Sequence, residues 1–324
     1  MNKTMHLICN AHIDPVWQWE WEEGCASAVA TFRCAARFCR EFDNYIFCHN
    51  EALIYRWVEE YDPALFREIR ELVRLGKWHI MGGWHVQPDC NMPSGEAFVR
   101  QITEGRRYFR EKFGVEPTTA INFDPFGHTR GLVQILAGTG YDSYIFCRPH
   151  EGLCHLPAET FRWVGYDGSS VIAQRSQTGY STALGNAMKK IRPTTEALTD
   201  AAPLGFCLWG VGNHGGGPSR EDIRAINAFM EEAKAEGVTV LHSTPEAYFA
   251  DVRAEAAAGT RVLPEHHGDL TAWAQGCYTS QVLIKQKYRQ TENSLFSAEK
   301  AVSHAVLLGL MEYPETEFGE ALYD

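Results

Sequence analysis

Short apolar runs of strand length alternate along this chain with amphipathic segments carrying helix start and stop signals, and that alternation restricts the fold more than any other feature. From Asp62 the text DPALFREIRELVRLG offers an N-cap, a proline at the first helical position, a stripe of Leu65, Phe66, Ile69, Leu72 and Val73, and Gly76 as a stop. Residues 94–114 repeat the grammar, with Ser94 as cap and Gly114 as terminator. A third helix is expected after Ser219, where Ser-Arg-Glu-Asp resembles a capping box, and a fourth from Thr244-Pro245. Between them lie strand-length runs at 5–9, 78–81, 119–122, 143–147, 206–211 and 238–241, several apolar on both faces as in strands covered by helices on both sides. This order predicts an α/β fold: a largely parallel β-sheet or distorted (β/α) barrel with flanking helices.

A chain of 324 residues, 45% hydrophobic and 22% charged, is long enough for one large domain, or one domain plus a fragment, and excludes disordered and fibrous architectures. The net charge of −11 and the lack of any long Lys/Arg run argue against nucleic acid as a partner. The opening MNKTMHLICNAHID has no apolar signal core, and no stretch of about 18 apolar residues occurs, so neither that secretion route nor a membrane span is expected. Ten cysteines are scattered singly through apolar runs, without CxxC pairs, which reads as buried reduced thiols in a cytoplasmic protein. Homo-oligomerisation is left open.

Three of the strand runs lead straight into polar text. Residues 5–9 lead into Asn10-Ala11-His12-Ile13-Asp14, residues 119–122 into Phe123-Asp124-Pro125, and residues 206–211 into a glycine-rich loop with Asn213 and His214. In α/β folds the carboxyl ends of parallel strands share one rim, where distant segments meet. His12 and Asp14 project to the same face of extended chain and can chelate one ion, although His-x-Asp also recurs by chance. Asp124 adds a carboxylate at a second strand end, its bland alternative being an Asx-turn acceptor. Imidazole with carboxylates suits Zn²⁺, with other divalent transition metals open. The glycine loop lacks the Gly-Lys-Ser/Thr of a phosphate cradle, so close backbone approach to a ligand is its expected use. Among the aromatics, Trp17 stands beside the His-x-Asp pair.

These residues sit in longer motifs: AHIDPVW at 11–17, PALFREIRELVRLGKWHIMGG at 63–83, MPSGEAFVRQITEG at 92–105, DPFGH at 124–128, and GCYTS at 276–280 followed by Lys285 and Glu292. Together they make the sequence similar, over almost its whole length, to the glycoside hydrolase family 38 α-mannosidases. The resemblance implies a retaining mannosidase acting on an α-mannoside or a mannose-containing oligosaccharide, with a zinc ion that binds sugar hydroxyls. It implies His12, Asp14 and Asp124 as metal ligands and Asp124 as nucleophile as well. Trp17 matches a sugar-stacking residue, Arg148 a substrate-side arginine near the nucleophile, and Tyr180 a site tyrosine.

Two departures from the family pattern bear on the chemistry. The family's acid/base aspartate falls here on Asn213-His214; Asn213 has no proton to give, so His214 is assigned as acid/base and Asn213 as a substrate contact. The family's fourth ligand, a histidine shortly before GCYTS, is missing from residues 271–275, which leaves His214, His266, His267 or water. The resemblance also divides the chain into a catalytic domain at 1–265 and, at 266–324, the beginning of a three-helix bundle whose β-domain continuation is absent. Two alternatives stay open: a metal-dependent carbohydrate deacetylase or amidohydrolase, and a non-catalytic carbohydrate-binding remnant.

Overall fold

The computed structural model describes residues 3–212 and 216–323. It divides into two compact units, Met1–Trp273 and Ala274–Asp324. The strands of the first unit are, in chain order, β1 (Lys3–Asn10), β2 (Phe47–His49), β3 (Trp78–Ile80), β4 (Thr119–Asn122), β5 (Ser143–Phe146), β6 (Thr160–Val164), β7 (Ser170–Arg175), β8 (Leu204–Trp209), β9 (Val238–His242) and β10 (Glu265–His266). Among the described residues they form two five-stranded sheets. In one, β8, β2 and β9 all pair with β1 in parallel and β3 extends β2. The other runs β10-β6-β7-β5-β4.

One pair departs from the parallel pattern: β6 and β7 are antiparallel. The reason is connection length, since a crossover between parallel strands needs a dozen or more residues and only Gly165–Ser169 intervene. Asp167 closes that turn, its Oδ1 accepting from the Ser169 amide at 2.9 Å and hydroxyl at 2.6 Å.

The two-sided apolar character of the strands has a direct packing cause. Met5, Leu7 and Cys9 of β1 join a buried cluster with Ala28, Phe32 and Ala35 of the Trp21–Glu41 helix, while Ile8 faces the other way. Ile8 belongs instead with Cys48, Ile121, Ile145, Ile172 and Leu208, drawn from strands of both sheets, and with Tyr248, Phe249 and Val252 of the Pro245–Ala257 helix. Both sheets therefore share one interior, covered on one side by the buried face of that helix, which is the distorted-barrel form of the expected fold. On the outer side of the second sheet, Phe98 and Ile102 of the Gly95–Phe113 helix pack with Leu132 and Leu136.

The helix signals act as read. Asp62, Ser94, Ser219 and Thr244 each accept a backbone N–H three residues on, at 3.0 to 3.2 Å, and Gly114 adopts φ +71°. The Ser219 opening differs from a capping box in the use of Asp222. Its buried carboxylate accepts from the Ser219 hydroxyl and from the amides of Gly185 and Ala187, tying down the segment that follows Tyr180. No helix among the described residues is long and apolar enough to cross a membrane. In the second unit the Val282–Leu307 helix carries exposed Leu283 and Ile284.

Candidate active site

The parallel strands of both sheets deliver their carboxyl ends to one rim, and His12, Asp14 and Asp124 meet there. Their ligand atoms all lie within 4.8 Å of one another, the one such group of three or more among the described residues. His12 Nε2 is 3.2 Å from Asp14 Oδ1 and 3.9 Å from Asp124 Oδ2. Neither contact has hydrogen-bond geometry, so both ring nitrogens of the buried His12 are without a hydrogen-bond partner. Burial lowers the His12 pKa, but the contact with Asp14 and the charges of Glu51, Asp14 and Asp124 outweigh it and hold it above the usual value.

Asp124 is gripped on its other side. Oδ1 accepts from the Tyr180 hydroxyl at 2.8 Å and lies 2.6 Å from Arg148 Nη1, which also donates to the Asp124 carbonyl. The two carboxylate oxygens thus face different partners: two donors on Oδ1, His12 on Oδ2. Burial, with the Asp124 charge adding to it, pushes the Tyr180 hydroxyl pKa up, so it stays a proton donor. Its ring leans on His12 at 4.6 Å and stacks over Phe123. Arg148 is set by a second tier. Its guanidinium lies over the Trp273 ring at 5.3 Å, and its carbonyl accepts from buried His128 Nε2 at 2.9 Å. Burial drives His128 to a pKa of about 4, so it is neutral there, and its Nδ1 lies 2.6 Å from the Tyr144 hydroxyl.

Around His12 the backbone is held tightly. Asn10 Nδ2 donates to the carbonyls of Tyr180 and Trp209, joining the ends of β1 and β8 to the loop after β7. A Cβ on Gly212 would meet the Cβ atoms of His12 and Ser181 at 3.2 and 3.3 Å, so the glycine-rich segment starts against His12 itself. Asn213 and His214 lie outside the described residues. Trp17 is exposed, and its neighbour Trp19 donates from Nε1 to the Asp14 carbonyl at 3.1 Å. His266 packs its ring against Phe161, and His267 pairs with Glu265 at 2.9 Å; the structure does not bring either into the His12 group.

Sequence reasoning missed Glu51. It follows β2, is almost completely buried, and its Oε1 accepts from the backbone amide of Gln87 at 3.0 Å. Gln87 Oε1 in turn accepts from Phe123 N at 2.9 Å, one residue before Asp124. The signal was present: IFCHNE at 46–51 is another apolar run ending in polar text, hidden because β2 spans only three residues.

The donor set fits a divalent transition metal. A buried, unpartnered imidazole nitrogen and two carboxylates from separate segments converge within coordinating reach of one another, the nitrogen-and-oxygen combination that zinc accepts.

Comparison with known proteins agrees with this geometry. The profile of the glycosyl hydrolases family 38 N-terminal domain matches residues 2–276. Alpha-mannosidase G of Dictyostelium discoideum is 27% identical over 311 residues, covering 93% of this chain and 27% of that protein. Alpha-mannosidase 2C1 of Mus musculus is 27% identical over 315 residues, covering 94% of this chain and 29% of that protein. The crystal structure of an alpha-mannosidase from Enterococcus faecalis V583 superposes with a TM-score of 0.80 at 19% identity, covering 99% of this chain and 37% of that one. The chain spans less than a third of the length of these two sequence relatives. By a family match that runs through nearly all of both sheets and the rim between them, the chain belongs to glycosyl hydrolase family 38, as its N-terminal domain.

Proposed function

We propose that this chain carries the catalytic rim of an α-mannosidase that hydrolyses mannosidic bonds with retention of configuration. The observation that carries the reading is the divided grip on Asp124: Arg148 and Tyr180 on Oδ1, His12 near Oδ2. A carboxylate fixed in this way is pre-organised to attack an anomeric carbon, forming a covalent glycosyl–Asp124 ester as the glycosidic C–O bond breaks. Arg148 and Tyr180 keep the carboxylate oriented between turnovers, and Trp17 offers an exposed face for the sugar ring. The leaving oxygen needs a proton, which we assign to His214, with Asn213 as a contact to substrate. Water then attacks the anomeric carbon from the face that the aglycone left, giving its proton to the residue that protonated the leaving oxygen, and the carbon–Asp124 bond breaks, so two inversions give net retention.

His12 Nε2, Asp14 and Asp124 Oδ2 would hold the divalent ion, zinc by ligand type. When bound, it supplies Lewis-acid and template chemistry toward the sugar hydroxyls. The substrate is accordingly an α-mannoside or mannose-containing oligosaccharide. Residues 266–324 are read as the opening of the family's helical bundle, and the ten free cysteines support a reducing, cytoplasmic location.

The test is hydrolysis of an aryl α-mannoside by the metal-loaded chain, wild type against Asp124→Asn, with the first-formed anomer followed by NMR. The expected result is α-mannose from wild type and no release from the variant. Equal turnover in both, or β-mannose as first product, contradicts the assignment; acetate release from an acetylated sugar without glycoside cleavage supports the deacetylase alternative instead.

A further inference from the structure

Glu51 is a carboxylate buried without a lysine or arginine partner among the described residues, and the fold gives it little structural reason to be one. It is 3% exposed, and among the described residues no Lys or Arg pairs with it. Its partners are the two neutral donors of Gln87, the backbone N at 3.0 Å and Nε2 at 3.5 Å. It occupies the N-cap position of the Ala52–Tyr61 helix, where a carboxylate ordinarily binds the first free amides, yet it makes no such bond. The Ala52 and Leu53 amides donate instead to the carbonyls of Trp84 and His85. Its backbone adopts φ +61°, a left-handed conformation that a glycine or asparagine would take more readily. A buried charge needs an opposite charge nearby, and a strained non-glycine residue persists where its side chain is needed.

No Lys or Arg supplies the cation; the positive charge that acts on Glu51 is that of protonated His12, a member of the group that would hold the ion. Glu51 is the strongest through-space charge acting on His12, and Asp14 is the carboxylate whose charge acts on Glu51. Through Gln87, whose Oε1 accepts from Phe123 N, the same side chain is tied to the residue before Asp124. It is thus linked to the Asp124 segment by hydrogen bonds and to His12 and Asp14 by charge.

Resting on the metal-site reading above, we propose that Glu51 is an outer carboxylate of the cation site: its negative charge, fixed by Gln87, which also holds the residue before Asp124, balances the bound divalent ion. Outer partners of this kind commonly alter metal affinity by about 10- to 100-fold.

The experiment is a zinc chloride titration of the metal-free full chain by competition with a chromophoric chelator, with thermal melts of the metal-free and zinc-saturated forms. Glu51→Gln is the variant, since its amide keeps the oxygen that Gln87 bonds and removes only the charge. The expected result is zinc affinity about 10- to 100-fold weaker than wild type. The zinc-induced rise in Tm should shrink in the variant, because the bound ion loses an opposite charge. Glu51→Asp, which keeps the charge, should bind zinc with an affinity between the two. Affinity within twofold of wild type overturns the proposal, as does an undiminished zinc-induced rise in Tm or a Glu51→Gln chain that does not fold. If wild type itself binds no zinc, the metal-site reading fails and this inference with it; if wild type binds and Glu51→Gln binds equally, only this inference fails.

Discussion

Tyr180→Phe removes the hydroxyl that donates to the nucleophile. The hydroxyl donates to Asp124 Oδ1 at 2.8 Å, while the ring makes separate contacts with His12 and Phe123 that phenylalanine retains. No cavity is created, so the usual 3–5 kcal/mol loss of an aromatic truncation does not apply, and folding should be little affected. A hydrogen bond to a charged acceptor contributes about 1.5–3 kcal/mol. If that amount is lost from the stabilisation of the attacking carboxylate, kcat/KM falls by about 10- to 150-fold, at about 1.4 kcal/mol per factor of ten. Arg148 remains on the same oxygen at 2.6 Å, so the loss should stop short of abolition, in contrast to Asp124→Asn. The assay is initial-rate hydrolysis of an aryl α-mannoside at saturating metal, paired with a thermal melt of each protein. A variant within twofold of wild type, or one whose loss of activity follows a loss of folded protein, refutes the claim that this hydroxyl orients the nucleophile.

Two further outcomes concern the scaffold. Phe32 is fully buried and meets Phe47, His49, Tyr55 and Trp78 edge-on, so Phe32→Ala should cost about 3–5 kcal/mol, read as a lower denaturant midpoint. Burial holds His128 and His242 at about 4 and His49 at about 3, below the ordinary 6.5. The unfolded chain therefore takes up protons first: stability is fully present above about pH 6.5 and declines as pH falls toward 4. Metal-free protein melted across pH 7 to 4.5 should show a falling Tm, and a flat profile would contradict neutral burial of these rings.

The strand and helix grammar was readable because each signal was local. Asp62, Ser94, Ser219 and Thr244 needed only a side-chain oxygen three residues before a free amide, and the two-sided apolar runs needed only a layer on each face. The meeting of His12, Asp14 and Asp124 was legible for a different reason: parallel strands deliver their ends to one rim, so polar text after each run can be superposed without coordinates. What stayed hidden depended on three-dimensional neighbours. The β6–β7 pair looks like any two apolar runs until the five-residue link is counted. Glu51 follows a strand too short to stand out, and Trp19 acts through a main-chain carbonyl that no side-chain pattern reveals. The role of Asp222 in anchoring the Gly185–Ala187 backbone is likewise a contact between segments more than thirty residues apart.

Zinc titration of the metal-free chain, with His12→Ala and Asp14→Ala alongside, bears most directly on the claim that three distant side chains form one cation site. One ion per wild-type chain, lost or greatly weakened in both variants without loss of fold, is the predicted result. Undiminished binding in either variant would place the ion elsewhere and contradict the site.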